Sequence, residues 1–363
     1  MSCGRCDECR ARGDRFCVYC GEYLTALPRS GCERCEECAR NGDTFCKYCG
    51  KKLIKEENPF LVIGFVVGML SAVILSCFLV FEYFVALWGI PQVWPNLPDY
   101  GSTLIIVIPV IVDVVSFDGV LSQIYYLLLI LAVTVSVGLL FYKAFGPIQK
   151  LSKGDNKTIR DTAFFEMPIL FLVLYIWELI FFIVLESMGV EINGLPDRET
   201  WKWMYELLEA SVWEEVITRI LLIGLPVVLI ALFYYREGKS SWKYLFGGFG
   251  FNKKALVLIV FSAFIFGTGH LNNWGWWKFF PTFIFGLIAG YLFCKYGVYA
   301  TILLHFLTDY MSAESWFFGT ANATLTALSF FMLSIACIPY TYIYVKKLIV
   351  GSKDIIKGRD KET

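Results

Sequence analysis

Eight long apolar runs, separated by polar connections, make up most of the chain after residue 58. They cover about residues 59–88, 120–142, 163–188, 204–235, 255–271, 279–294, 298–318 and 323–345. An α-helix needs roughly 20 predominantly apolar residues to cross a bilayer, so these runs read as membrane-crossing helices. A shorter apolar run, 103–115, follows Pro91, Pro95 and Pro98 and is interrupted by Pro109 and Asp113. At about a dozen residues it is too short to span, and it is expected to be interfacial or re-entrant. The pattern predicts an all-α polytopic membrane protein with about eight transmembrane helices.

Charge in the connections orients the bundle. Lys51, Lys52 and Lys55 precede the first run, and Lys143, Lys150, Lys153, Lys157 and Arg160 separate the second from the third. Arg236, Lys239, Lys243, Lys253 and Lys254 lie between the fourth and fifth, and Lys346 and Lys347 follow the eighth. The alternate connections carry chiefly Arg198, Lys202 and Lys278. Positive loops stay on the cytosolic side, so a multi-pass cell-membrane protein with both termini cytosolic is expected. A hydrophobic content of 57% excludes an ordinary soluble domain. With 32 basic and 32 acidic residues, the chain offers no case for nucleic acid as a partner. No cleavable signal peptide is legible at the polar N-terminus.

That N-terminus holds ten of the 13 cysteines, in two copies offset by 29 positions. Cys3, Cys6, Cys9, Cys17 and Cys20 map onto Cys32, Cys35, Cys38, Cys46 and Cys49. Paired Cys-x-x-Cys hooks in a segment too short for a core build a tetrahedral thiolate site for zinc, and such modules fold with their metal. The quartets Cys3, Cys6, Cys17, Cys20 and Cys32, Cys35, Cys46, Cys49 have the spacing of tandem zinc ribbons. Cys9 and Cys38 are then spare or alternative ligands. Two structural zinc ions are expected. Disulfides are the competing assignment and would need an oxidising compartment. Modules this small serve structure or recruit a protein partner. Cys77, Cys294 and Cys337 read as small apolar residues within the membrane part.

Within the fourth apolar run, the stretch 213–219 carries three charges, Glu214, Glu215 and Arg219. Each charge in mid-bilayer costs roughly 2.5–3.5 kcal/mol on insertion scales, so it needs a partner or a task. Glu215 and Arg219 stand four apart and can pair along a helix. Glu214 is rotated by about 100° from Glu215 and needs another partner. The two histidines of the chain, His270 and His305, fall in later apolar runs. Phe266 shares a helix face with His270, and Asp309 shares one with His305. Glu166, Glu178 and Glu186 fit no motif and read as protonated, paired or cavity-lining. Trp274, Trp276 and Trp277 read as an interfacial aromatic belt.

The ordered set Glu214-Glu215-x-x-x-Arg219, Phe266-x-x-x-His270 and His305-x-x-x-Asp309 resembles the CAAX protease and bacteriocin-processing family. These are intramembrane glutamic endopeptidases that include the Ras-converting-enzyme type. The resemblance covers roughly residues 160–345 and leaves the cysteine repeats outside. It implies that Glu214 is the general base for a water shared with His270. His305 and Asp309 face the oxyanion, while Glu215, Arg219 and Phe266 support the helices. Asp309 stands where some members have Asn, so it either donates as a neutral acid or orients His305. Imidazole donors in a site of low dielectric stabilise such an oxyanion strongly. No cofactor is expected at this site beyond the ribbon zinc. The implied substrate is a membrane protein or lipidated peptide.

The expected organisation is thus a first zinc ribbon (1–27), a second with its linker (28–57), N-terminal transmembrane helices (58–160), a protease domain (161–350) and a charged tail (351–363). Two other classes fit the same residues. One is a non-enzymatic membrane scaffold or bacteriocin-immunity factor that recruits partners through its ribbons. The other is a metal-dependent membrane peptidase with Glu214, His270, His305 and Asp309 as ligands, although the His-Glu-x-x-His helix of common zinc peptidases is absent.

Overall fold

The structure, a computed structural model, describes residues 3–24, 34–41, 43, 45–51, 59–108, 110–192, 196–236, 238–251 and 253–356. It separates into two units, Met1–Phe65 and Val66–Thr363.

In the first unit, each cysteine repeat contributes one short helix, α1 (Cys6–Ala11) and α2 (Cys35–Arg40). The 29-residue offset recurs in the backbone. Phe16 N–H donates to the Lys47 carbonyl at 3.2 Å, and Phe45 N–H donates to the Val18 carbonyl at 3.0 Å. Gly21 (φ +75°) sits under the Phe45 ring and Gly50 (φ +72°) under the Phe16 ring. A Cβ would approach those rings to 2.6 and 2.5 Å, so glycine is required on both counts, conformation and space. Each repeat therefore covers the knuckle of the other.

The membrane unit follows the apolar runs. Its elements are α3 (Pro59–Val93), α4 (Leu97–Tyr100), β1 (Ser102–Ile108), β2 (Val110–Phe117), α5 (Gly119–Leu151), α6 (Asn156–Arg160), α7 (Ala163–Ser187) and α8 (Thr200–Glu215). A π-helical segment, Val216–Gly224, leads into α9 (Leu225–Phe233). Then come α10 (Lys253–Gly269), α11 (Leu271–Trp274), α12 (Phe279–Tyr296), α13 (Val298–Ser312), α14 (Glu314–Phe318) and α15 (Thr320–Ile356).

Among the described residues, six helices are long and apolar enough to cross a membrane, with Ala255–Gly269 a shorter apolar one. The run expected to span 298–318 divides instead into α13 and α14. From Tyr299 to Leu307 every residue of α13 is buried, so it is packed among other helices rather than against lipid. A helix enclosed in this way tolerates His305 and Asp309 where a lipid-facing one would not.

The helical architecture expected from the sequence is present, with one departure. Residues 103–115, expected as an interfacial or re-entrant segment, lie in the antiparallel pair β1–β2, registered from Ser102 opposite Phe117 to Ile108 opposite Val110. Their β-branched composition favours extended backbone over helix. Tyr205, on α8, bonds Ser102 at the base of the hairpin.

Two packing features position the site. Gly286 and Gly290 form a Gly-x-x-x-Gly face on α12. A Cβ at Gly286 would lie 2.9 Å from the Ala263 Cβ, and one at Gly290 would lie 2.7 Å from Ile259, both on α10. Small residues at this spacing let two membrane helices approach at backbone distance. In the fourth span, Pro226 has no N–H for the carbonyl of Leu222, so a regular α-ladder cannot pass. The helix is wound as a π-segment through the turns just before it, directly after Glu215. On the other side of the bundle, Phe330 of α15 packs against Phe78 of α3 and Phe171 of α7, with centroids 4.9 and 5.8 Å apart.

Candidate active site and cysteine clusters

Glu214 and Glu215 are the last residues of α8, His270 follows the end of α10, and His305 and Asp309 lie on α13. The fold brings all five together. Glu215 and Arg219 are fully buried. Arg219 Nε donates to Glu215 Oε2 at 3.1 Å, and its Nη1 donates to Ser262 Oγ on α10 at 3.0 Å. The guanidinium also lies 5.7 Å from the centre of the Phe266 ring. One ion pair thereby ties the fourth span to α10. The second oxygen of Glu215 meets His305 Nδ1 at 3.0 Å and ties the same span to α13.

With Nδ1 committed to Glu215, His305 presents Nε2 to the site. That atom stands 3.7 Å from Glu214 Oε2 and 3.5 Å from Asp309 Oδ2. Asp309 Oδ2 also accepts from Ser211 Oγ at 3.2 Å. His270 is held differently, with Nδ1 2.8 Å from the Phe266 carbonyl. A carbonyl can only accept, so Nδ1 carries the proton and Nε2 is the lone-pair nitrogen. This Nε2 faces Glu214 Oε2 at 3.9 Å, too far for a direct hydrogen bond. Glu214 Oε2 has no hydrogen-bond partner among the described residues. Two acceptors at this separation are the arrangement a single water molecule can bridge.

Aromatic rings fix both imidazoles. The Phe266 ring lies 4.7 Å from His270 and 5.9 Å from His305, and Phe285 lies 4.9 Å from His305. Phe266 thus contacts the guanidinium and both histidines.

Two cavities bracket the cluster. One of about 310 Å³ is lined by Tyr175, Glu178, His270, Lys278, His305 and Asp309. The other, about 130 Å³, is lined by Ile105 and Val107 of β1 together with Glu214, Ile217, His270 and Trp274. The Trp213 indole donates to the Ile105 carbonyl at 2.9 Å and fastens β1 beside α8. Glu178 is therefore cavity-lining. Glu166 instead pairs with Lys295 at 2.8 Å and accepts from Tyr291 and Tyr344, both at 3.0 Å, and from Tyr296. Glu186 is exposed.

Sequence reasoning passed over Ser211, Ser262, Lys278 and the two β1 residues. Ser211 stands four residues before Glu215, and Ser262 four before Phe266, so helical spacing carried a signal for both. Nothing in the local sequence links Ile105 or Val107 to the motifs.

The cysteines are free thiols among the described residues. Cys3, Cys6, Cys17 and Cys20 place their sulfurs within 4.8 Å of one another, with Cys3–Cys17 and Cys6–Cys20 both at 3.5 Å. Four sulfurs at about 2.3 Å from one zinc ion would be about 3.8 Å apart, so the quartet suits a tetrahedral metal. Cys9 adjoins the quartet, 3.7 Å from Cys17, and contacts Arg12. Cys35, Cys46 and Cys49 form the matching group, and Cys38 is 3.8 Å from Cys46. Cys32 lies outside the described residues. Both groups can hold a metal ion.

Residues 196–311 match the Rce1-like family model, described as type II CAAX prenyl endopeptidase Rce1-like. The matched stretch contains all three motif segments, whereas the cysteine repeats and β1–β2 lie outside it. The matched family is a membrane protease family. No curated protein and no solved structure matches the chain.

Proposed function

We propose that the protein is an intramembrane endopeptidase that hydrolyses a peptide bond of a membrane-associated or lipidated substrate. The observation that carries this reading is the 3.9 Å gap between Glu214 Oε2 and the lone-pair nitrogen of His270. A water in that gap is held by two acceptors. Glu214 takes one of its protons as the hydroxyl adds to the scissile carbonyl carbon. The carbonyl oxygen becomes an oxyanion opposite His305 Nε2. Because Nδ1–H already goes to the Glu215 carboxylate, Nε2 donates in the imidazolium form of the ring, and in that form it stabilises the oxyanion in a site of low dielectric. Glu214 then returns the proton to the departing amine, which leaves a carboxylic acid and an amine as products.

The remaining residues position these groups. Glu215 fixes the His305 ring through Nδ1 and is itself held by Arg219. Asp309, anchored by Ser211, sets the edge that His305 turns to the substrate. The two flanking cavities leave room for chain on either side of the reacting bond. The metal of the cysteine clusters is zinc, because four thiolates in tetrahedral array are its usual structural site. The ribbons act as an accessory module that folds with the ion.

The test compares new protein N-termini in membranes that contain wild type or Glu214→Ala at equal abundance. Termini that appear only with wild type establish proteolysis, name the substrates and show which membrane face is cut. Identical profiles from two folded proteins would overturn the peptidase assignment and favour the scaffold.

A further inference from the structure

A third cavity stands apart from the catalytic cluster, at the end of the helices where α5 finishes, α7 begins and α12 turns into α13. It encloses about 580 Å³, and Lys143, Lys157, Thr162, Lys295, Tyr296 and Tyr299 are among the residues that line it. We infer that this cavity binds an anionic phosphoryl group, supplied either by the headgroup of a membrane phospholipid or by a soluble phosphate compound.

Three ammonium groups face the cavity, and their situations differ. Lys295 is neutralised, with Asp161 and Glu166 both at 2.8 Å. Lys143 and Lys157 have no carboxylate within 4.0 Å among the described residues. Lys143 is instead held over the Tyr299 ring, 4.5 Å from its centre, and so is turned inward to the cavity. Two uncompensated cations in one recess leave it positive even with Asp161 on its rim. The recess also opens on the first turn of α7, a 25-residue helix capped by Thr162. Its amide dipoles add to the attraction for an anion. Phosphoryl oxygens match these donors better than a carboxylate does, because three oxygens can meet donors from α5, α6 and α7 at once.

The neighbouring surface suits an attached lipid. Phe141, Phe145 and Ile148 form an exposed apolar stripe on α5, next to the face that carries Leu140, Lys143 and Pro147 into the cavity. A headgroup bound between the lysines would let its acyl chains lie along that stripe. Basic recesses between membrane helices are used to hold anionic headgroups in this way. This inference does not rest on the peptidase assignment.

The test uses the purified full-length chain in detergent. Native mass spectrometry compares retention of phosphatidylglycerol and phosphatidylcholine supplied in equal amounts. A parallel thermal-unfolding series compares inorganic phosphate with chloride at equal ionic strength. Wild type should prefer the anionic lipid, and each lysine removed should weaken that preference roughly fivefold. The Lys143→Ala/Lys157→Ala variant should therefore lose nearly all of it, while Lys143→Arg/Lys157→Arg keeps it. A lysine-dependent lipid preference without a phosphate effect identifies the lipid as the source. A lysine-dependent shift of the unfolding midpoint by phosphate, with no lipid preference, identifies a soluble phosphate compound. The proposal falls if neither effect occurs in wild type, or if both persist in the double alanine variant. Should the double variant unfold, Lys157→Ala alone carries the test, since that side chain is exposed and has no carboxylate within 4.0 Å among the described residues.

Discussion

Arg219 is fully buried, and its guanidinium is shared among Glu215, Ser262 and the face of Phe266. Removing one member of such a pair strands the other charge, which in protein interiors costs about 3–5 kcal/mol. Arg219→Met should therefore lower the thermal midpoint of the detergent-solubilised protein strongly. Adding Glu215→Gln to it should recover much of the loss, because the stranded carboxylate is then gone and the amide oxygen can still accept from His305 Nδ1. Glu214→Gln should leave the midpoint close to wild type, since Oε2 of that residue bonds nothing among the described residues. In a cleavage assay the same Glu214→Gln protein should be slower by about 10²–10⁴-fold, the usual contribution of a general base. A variant that is stable and inactive would separate the role of Glu214 from that of its neighbour. Equal destabilisation by Glu214→Gln and Arg219→Met would show Glu214 to be structural as well.

At the scale of elements, the contact between α10 and α12 decides where His270 sits. Gly286 meets the Ala263 backbone so closely that a Cβ would lie 2.8 Å from its Cα. Gly286→Leu should force the helices apart at a cost of about 1–3 kcal/mol or more and shift His270 away from Glu214. Loss of the monodisperse peak in size-exclusion chromatography, or of cleavage in protein that remains folded, would register the change. Gly138→Ala on α5 is the control, because a Cβ there meets nothing within 4 Å. If both substitutions behave alike, the close approach is not what holds the site. The π-segment after Glu215 belongs to the same scale. By widening the helix before Pro226 it sets the rotation of Arg219 relative to Ser262.

For the whole molecule, two cysteine groups predict two zinc ions per chain. Elemental analysis of the purified full-length protein should find both. Cys17→Ser with Cys46→Ser should remove them, whereas His270→Ala should leave the content unchanged. A third equivalent that disappears with His270→Ala would make the membrane site a metal centre and overturn the glutamate–water scheme. The reciprocal packing of Phe16 on Gly50 and Phe45 on Gly21 adds a further expectation. Cys17→Ser alone should loosen both repeats, so zinc loss should exceed half.

The apolar runs, the lysine-bearing connections, the cysteine repeat and the three motifs are local patterns, and the sequence alone determined them. Helix length follows from the span of a bilayer, and a metal quartet follows from hook spacing. The same local logic left the hairpin at 103–115 unread, because a short apolar run does not by its periodicity tell a strand pair from a helical segment. Only the tertiary structure decided that His305 Nδ1 belongs to Glu215, that Phe266 also reaches the His305 ring, and that Ile105 and Val107 line a cavity with Glu214. Those contacts join residues about 40 to 110 positions apart. They depend on helix rotation and close approach, which packing settles and spacing along one helix cannot.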